Sequence, residues 1–528
     1  MKKNRKLIIG FFAVFIFIAS AALYFFGDAV NKNQDNKNKD SLQTTGELKN
    51  NSDIELNDDR TSYYIYVKLD TDKKTLFGQQ TVKLKNTYES PLKELVFHLY
   101  PDSYNSAATK PSIGITPKPL SNSEIGDIEI SSLLVNKEGN KFTQENQVLK
   151  IPLSKELKPS ETIEVTMDFT LKIPNDRDRL GYYKDQYSVT NWYPILSVYD
   201  AKASTWDENP FYPVGESNYS NCSDYNVEID VPKNMVVATT GIEISKQMGK
   251  ERDKIHFKAE NTRDFDFFAS KDYKVISQNI DGVKVNSYFL NYDSSARRML
   301  DLACKSLKFF NSNYGKYPYT EYDVVETYLE GGAMEYPTIT QMGLYPKLNE
   351  KYGERELTFY DEAVVHETGH QWFYSTVGNN EFKEPVLDES FTSYATALFF
   401  EKLYGQYNPL AVKGAFLTVP LKSMEPISRS SDKYTWNDFE RVVYRMGPAV
   451  LEDLRRKVGE DKFTAIFKDY YENYKFKNAT LENFLDIVKE KCGSDMGNYV
   501  RAAFTSDHYS TDSMLVSNEE LSKIKGRN

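Results

Sequence analysis

From Tyr63 to about Phe289 the apolar residues recur at every second position. In the stretch TIEVTMDFTLKIP, Ile163, Val165, Met167, Phe169, Leu171 and Ile173 alternate with mostly polar partners, the pattern of a strand that buries one face. Tyr225, Val227, Ile229 and Val231 repeat it ahead of Pro232. Tyr63, Ile65, Val67 and Leu69, the segment around Val82 and Leu84, and Leu95, Phe97 and Leu99 add further strands, separated by turn-rich stretches such as DTDKK. Many short strands with few helical runs predict an antiparallel sandwich or saddle. After Asp293 the period changes to that of a helix, with Met299, Leu302, Ala303, Leu307 and Phe310 on one stripe, so a domain boundary is expected between 280 and 290. A brief strand signal returns at Tyr322, Val324 and Val325. Helices then fill most of 356 to 500, broken by loops at NNEFKEP and at 405 to 436.

The first 60 residues follow neither pattern. A basic segment, residues 1–6, precedes an uncharged apolar run from Leu7 to Phe26, about the length that crosses a bilayer as one helix. The positive-inside rule keeps Lys2, Lys3, Arg5 and Lys6 in the cytoplasm and places everything after Gly27 outside the cell, as a single-pass membrane protein. A cleaved signal peptide, with Ala19-Ser20-Ala21 as the small-residue site, is the alternative and yields a secreted protein. Residues 27–60 are polar and aromatic-free, and they read as a disordered stalk with an r.m.s. span of about 30 Å. The expected division is then 61–285 for the β-rich part, 286–460 for a catalytic part, and 461–528 for a helical segment and tail.

A net charge of −10, with Lys and Arg interspersed among acids, leaves no basic footprint, so nucleic acid is excluded as a partner class. Three scattered cysteines, Cys222, Cys304 and Cys492, encode neither a disulfide framework nor a thiolate metal site.

Candidate chemistry concentrates in the second half. The stretch TFYDEAVVHETGHQWFYSTV predicts one helix of about five turns. Two of the chain's five histidines, His366 and His370, lie four residues apart on one face of it. Glu367 is next along the chain, about 100° round the helix, near enough to reach a water on a metal without ligating it. This is the H-E-x-x-H zinc arrangement, and a catalytic zinc takes a third protein ligand. With eighteen residues between it and His370, Glu389 sits in the first turn of a second helix, LDESFTSYATALFFEKLYG, whose antiparallel return brings it towards the metal. Taken alone, Glu389 and Asp388 also suit a helix N-terminus as ordinary first-turn acids. His98, His256 and His508 lie in strand-like or tail contexts and are not expected to be ligands.

Four blocks, EGGAMEYPTITQMG, HETGHQWF, LDESFTSYA and VVYRMGPAVLEDLRRKVGED, occur in the order and at roughly the separations of the aminopeptidase N family of gluzincin zinc metallopeptidases, and the chain resembles a short bacterial-type member over about residues 60 to 490. The resemblance implies one Zn2+ per chain held by His366, His370 and Glu389. It also implies Glu367 as general base on the attacking water and Tyr444, of the Tyr-x-x-Gly in VVYRMGP, as hydrogen-bond donor to the oxyanion. Gly332, Ala333, Met334 and Glu335 match the segment that runs along the substrate cleft, with Glu335 binding the free α-ammonium. The chain departs from the family at Tyr336, where Asn is usual, followed by Pro337. The family's second amine-binding residue, from the N-terminal domain, has only a weak candidate in Gln186.

The resemblance implies an α+β multidomain fold: a β-rich saddle or sandwich N-terminal domain, then a thermolysin-like α+β catalytic domain with a short helical C-terminal portion. The implied function is a membrane-tethered, extracellular zinc aminopeptidase acting on peptides. Two alternatives stay open, a gluzincin endopeptidase with a more open cleft and a non-catalytic surface binding module in which zinc is structural.

Overall fold

The computed structural model describes residues 60–111, 118–348, 359–411 and 416–525. The apolar run Leu7–Phe26 and, apart from Arg60, the polar stretch 27–60 lie outside the described residues. Among the described residues no helix is long and apolar enough to cross a membrane.

The alternating segments form the strands they predict. An eight-stranded sheet runs in the order Ile242–Met248, Arg252–Thr262, Ser223–Pro232, Ser62–Asp70, Thr75–Lys85, Thr162–Lys172, Asp127–Val135, Glu138–Gly139. All neighbours are antiparallel except Ser62–Asp70 beside Ser223–Pro232, a parallel pair. Register sets apolar residues opposite each other, Ile65 across from Val227 and Val82 across from Val165, so the inner strands bury one face, while the edge strands Ile242–Met248 and Glu138–Gly139 stay exposed. Two four-stranded sheets complete the β-rich region, one built on Leu92–His98 and Val148–Leu157, the other on Gln186–Val189 and Phe267–Ser270. Each buried Val, Leu, Ile or Phe in that core contributes about 1.5–3 kcal/mol.

A five-stranded mixed sheet follows, ordered Lys274–Ile280, Val283–Phe289, Glu321–Glu326, Ile339–Met342, Ala333–Tyr336. Its first two strands pair with each other and, through Val283–Phe289, with Glu321–Glu326, so this sheet crosses the division expected at 285/286. A period of two identifies a strand but not the sheet it joins. Helix α1 (Asp293–Asn313) buries Met299, Leu302, Ala303, Leu307 and Phe310, and packs on helix α2 (Phe359–Gly369), which packs in turn on helix α3 (Phe391–Tyr404). The helices from Gly447 onward share one apolar core with these elements, from Val283 to Met514, so the expected 286–460 and 461–528 segments are not separately cored. The fold is a β-rich region followed by an α+β region that ends in helices.

The single helix expected over TFYDEAVVHETGHQWFYSTV stops at Gly369, after 11 residues. A side-chain carbon on Gly369 would stand 3.0 Å from Thr392 of α3 and 3.5 Å from Phe310 of α1, so the glycine allows three helices to close on one another. Beyond it the chain is captured by tertiary contacts. Arg263, buried just past the strand Arg252–Thr262, donates from Nε to the carbonyls of Tyr374 (2.6 Å) and Ser375 (3.1 Å). From its Nη atoms it donates to Ser220 O, Asn478 Oδ1 and Lys477 O at 2.9, 2.6 and 2.8 Å. One planar guanidinium thus ties the β-rich region, the loop after His370 and the C-terminal helices together.

Replacing that fork with a single ammonium leaves several buried carbonyls without donors, at about 1–3 kcal/mol each. Arg263→Lys is therefore expected to lower the thermal unfolding midpoint clearly, by scanning calorimetry. A midpoint equal to the parent's would show that the fork is not holding these segments.

Candidate metal centre

On α2, His366 and His370 project from consecutive turns. The N–H of His370 donates to the carbonyl of His366 at 3.2 Å, so the helical spacing persists one residue past the end of α2. The two Nε2 atoms face each other at 3.0 Å. Glu389 Oε2 lies 3.1 Å from Nε2 of His366 and 3.5 Å from Nε2 of His370. These three residues can each offer one ligand atom to a shared point, the expected convergence.

The far side of His370 settles which nitrogen faces that point. Its Nδ1 donates to Asp388 Oδ1 at 2.5 Å, with Phe373 O at 3.1 Å and Thr392 Oγ1 at 3.2 Å alongside. The proton is thereby placed on Nδ1 and the lone pair on Nε2, the orientation a metal ligand needs. Asp388, which first-turn acidity alone could explain, is the residue that does this orienting.

The surroundings favour positive charge at the same place. Burial opposes ionisation of Glu389, but the adjacent imidazoles of His366 and His370 outweigh it and hold its carboxyl well below the usual range. Burial pulls His370 down, yet Asp388 and Glu335 more than reverse this and raise it well above its ordinary value. Glu367 is buried and its Oε2 has no hydrogen-bond partner; burial, then the charge of Glu335, pushes its carboxyl well up. Two imidazole nitrogens and carboxylates crowded with unbalanced negative charge fit Zn2+, a borderline cation that takes N and O donors in fours.

Two π-helical turns set the remaining groups, Val386–Ser390 carrying Asp388 and Glu389, and Val442–Met446 carrying Tyr444. Such single wide turns concentrate at functional sites. They are locked together by Ser390 Oγ donating to the carbonyl of Val443 at 2.6 Å. Gly447 makes this possible, because a side-chain carbon there would sit 2.0 Å from Ser390 Oγ. The Tyr444 hydroxyl is then delivered to Glu389, donating to Oε1 at 2.5 Å. Burial and the charge of Glu389 keep that hydroxyl protonated far above its usual range.

Gly332, Ala333, Met334 and Glu335 lead into and form the strand Ala333–Tyr336, the last of the five-stranded sheet, paired only with Ile339–Met342. Glu335 is buried with Oε1 unpartnered, and a ligand oxygen of it lies close enough to those of Glu367 and His370 to share an ion with them. Gln186 has its amide in use elsewhere, Nε2 donating to Ser188 Oγ at 2.9 Å and Oε1 accepting from the Tyr328 N–H at 3.5 Å. The residue from the β-rich region that does stand by Glu335 is Glu216. Burial raises its carboxyl to about 8, Arg179 counters, and Glu335 and Glu389 raise it further. Arg179 holds it with two parallel hydrogen bonds, one of them 2.6 Å from Nη2 to Oε1. Glu216 lies in a stretch without periodicity, marked only by Gly215, whose φ of +73° and contact with the Phe439 ring admit no side chain. That local signal identifies a tight turn but not its neighbours.

The site thus draws the possible donors His366, His370 and Glu389 from α2, the residue just after it and the turn Val386–Ser390. Residues 298–503 match the Peptidase family M1 domain. It is similar to Aminopeptidase M1-B of Oryza sativa subsp. japonica, 23% identical over 376 residues, which are 66% of this chain and 41% of that protein. It is also similar to Aminopeptidase N of Lactococcus lactis subsp. lactis, 21% identical over 394 residues, or 71% of this chain and 46% of that protein. The chain thus spans less than half the length of these curated relatives. Among solved structures, the M1 zinc metallopeptidase of Deinococcus radiodurans shares the fold at a TM-score of 0.59 and 16% identity, over 85% of this chain and 94% of that one.

If Asp388 orients His370 for a metal, Asp388→Ala is expected to weaken Zn2+ binding by about 10- to 100-fold, measured by competition against a chromophoric chelator on metal-stripped protein. Unchanged affinity would remove Asp388 from the site.

Proposed function

We propose that the chain is a zinc-dependent metallopeptidase that releases N-terminal residues from peptides, with one Zn2+ held by His366, His370 and Glu389. The observation that carries the reading is the placement of an unpartnered, buried Glu335 beside the metal donors, at the end of an edge strand that a peptide backbone can extend. Tyr336, Arg179 and Glu216 are buried as well, and Arg179 is bonded to Glu216. The zinc, when bound, supplies Lewis acidity towards the attacking water and the scissile carbonyl.

The protein groups do the rest. The Glu335 carboxylate accepts hydrogen bonds from the substrate α-ammonium, assisted by Glu216, whose charge Arg179 partly offsets. The free edge of Gly332 to Glu335 aligns the substrate backbone. Glu367 takes a proton from the attacking water at its free Oε2 and returns it to the leaving nitrogen. Tyr444 turns its O–H from Glu389 to the oxygen of the former carbonyl as negative charge builds there.

The deciding assay compares an alanyl amide with its N-acetylated form. Parent protein is expected to cleave the free amine at least about 100-fold faster in kcat/KM, and equal rates would instead favour an endopeptidase. In the same assay Glu367→Gln is expected to retain zinc, by elemental analysis, and to lose about 10²- to 10⁴-fold in kcat. Retained turnover in that variant would sink the mechanism.

We also propose that the apolar run Leu7–Phe26 anchors the chain with its catalytic part outside the cell, on the support of the sequence pattern alone. Carbonate-washed membranes should keep the full chain and release a chain that starts at residue 28. Full-length protein in the wash would overturn this.

A further inference from the structure

Helix α2 is buried on nearly all sides, and the side chains it leaves open are Phe359, Tyr360, Glu362 and His366. Phe359, Glu362 and His366 are spaced by three and four, so they form one stripe along the cleft. Phe359, 56% exposed, lies at the outer end, with its ring tip 3.9 Å from where a side chain on Gly332 would begin. At the inner end stand His366, His370 and Glu335. Helix and edge strand therefore advance together, from Phe359 and Gly332 at the mouth to His370 and Glu335 in the depth. If the substrate amine is held at Glu335, the leaving portion of the peptide must emerge past Glu362.

Glu362 is an acid of this cleft that nothing balances directly, and unlike Glu335 and Glu367 it stands partly open to solvent. Among the described residues it has no hydrogen-bond or ion-pair partner, whereas its charged neighbour Arg445 is paired with Glu440 at 2.9 Å. Burial pushes its carboxyl up to about 7, with Arg445 only partly offsetting this. A half-buried carboxylate without a partner is costly unless a ligand brings one. It stands one helical turn, about 6 Å, from His366, within reach of a long side chain on the residue just after the scissile bond.

We propose that Glu362 makes the enzyme selective for peptides with lysine or arginine in the second position. The carboxylate accepts hydrogen bonds from the cationic head, while the Phe359 ring covers the aliphatic stem. This rests on the aminopeptidase reading and adds the class of peptide to it.

The test is a panel of Ala-X-Gly-Gly peptides with X as Arg, Lys, Gln or Glu, assayed for released alanine with zinc-loaded protein. The parent is expected to prefer Arg and Lys over Gln by about five- to tenfold in kcat/KM, expressed in KM. Glu362→Gln is expected to bring that ratio close to one, and Glu362→Lys to invert it in favour of X as Glu, a reversal that a purely structural role for Glu362 cannot produce. Cleavage of the panel with no preference in the parent, or a preference untouched in both variants, overturns the proposal while leaving the peptidase reading intact. No cleavage of any panel peptide removes both.

Discussion

The hydrogen bond from His370 to Asp388 is the constraint on which the centre depends. It does three things at once: it fixes the imidazole tautomer, it pins the end of α2 where the helix has already stopped, and it positions the adjacent Glu389. Because both partners are almost wholly buried, the pair tolerates no loss of one member; leaving a buried group of this kind uncompensated costs about 3–5 kcal/mol. Glu389 is thus tied to His370 through a neighbour in sequence and a hydrogen bond in space.

Around that bond the protein concentrates buried acids. Glu216, Glu335, Glu367, Glu381, Asp388 and Glu389 are all nearly inaccessible, and Arg179 is bonded to only one of them. Such a cluster stores electrostatic tension that a divalent cation and a substrate ammonium both relieve. The arrangement also separates tasks. Glu389, accepting from Tyr444 and flanked by His366 and His370, is held ionised, whereas Glu367, with a free oxygen and acids for neighbours, holds protons more readily. Carboxyl groups that share one pocket are driven towards different jobs by their partners.

How much of this was legible in the sequence depends on the range of the interaction involved. The strand Thr162–Lys172 and helix α1 follow from periods of two and about 3.6, because burying one face is a local demand that each residue records. The meeting of His366 and His370 follows from helical spacing. The end of α2 was not legible, since Trp372, Tyr374 and Ser375 are held by Gly315 and Arg263, residues more than fifty and a hundred positions away. Gln186 is only a weak candidate from the sequence and Glu216 carries no signal there, because neither position is periodic and only the fold shows which lies near Glu335. The strand Val283–Phe289 was recognisable as a strand, but its partner Glu321–Glu326 could not be read from its own residues.

The two π turns show how a local departure from regular structure serves the site. Each wide turn gives up ideal α-helical geometry, and the chain recovers that cost through tertiary contacts: Ser390 donates to Val443, and Gly447 lets the two turns approach. The result is a hydroxyl and a carboxylate held 2.5 Å apart across 55 residues of sequence. With regular α-helix in both places, Glu389 and Tyr444 would be rotated about their axes by a fraction of a turn relative to their neighbours, and they could not both face the histidines. The glycine of Tyr-x-x-Gly therefore matters for the distance between Tyr444 and the metal donors, although it bears no functional group of its own. The motif's spacing thus encodes a docking geometry between the two turns.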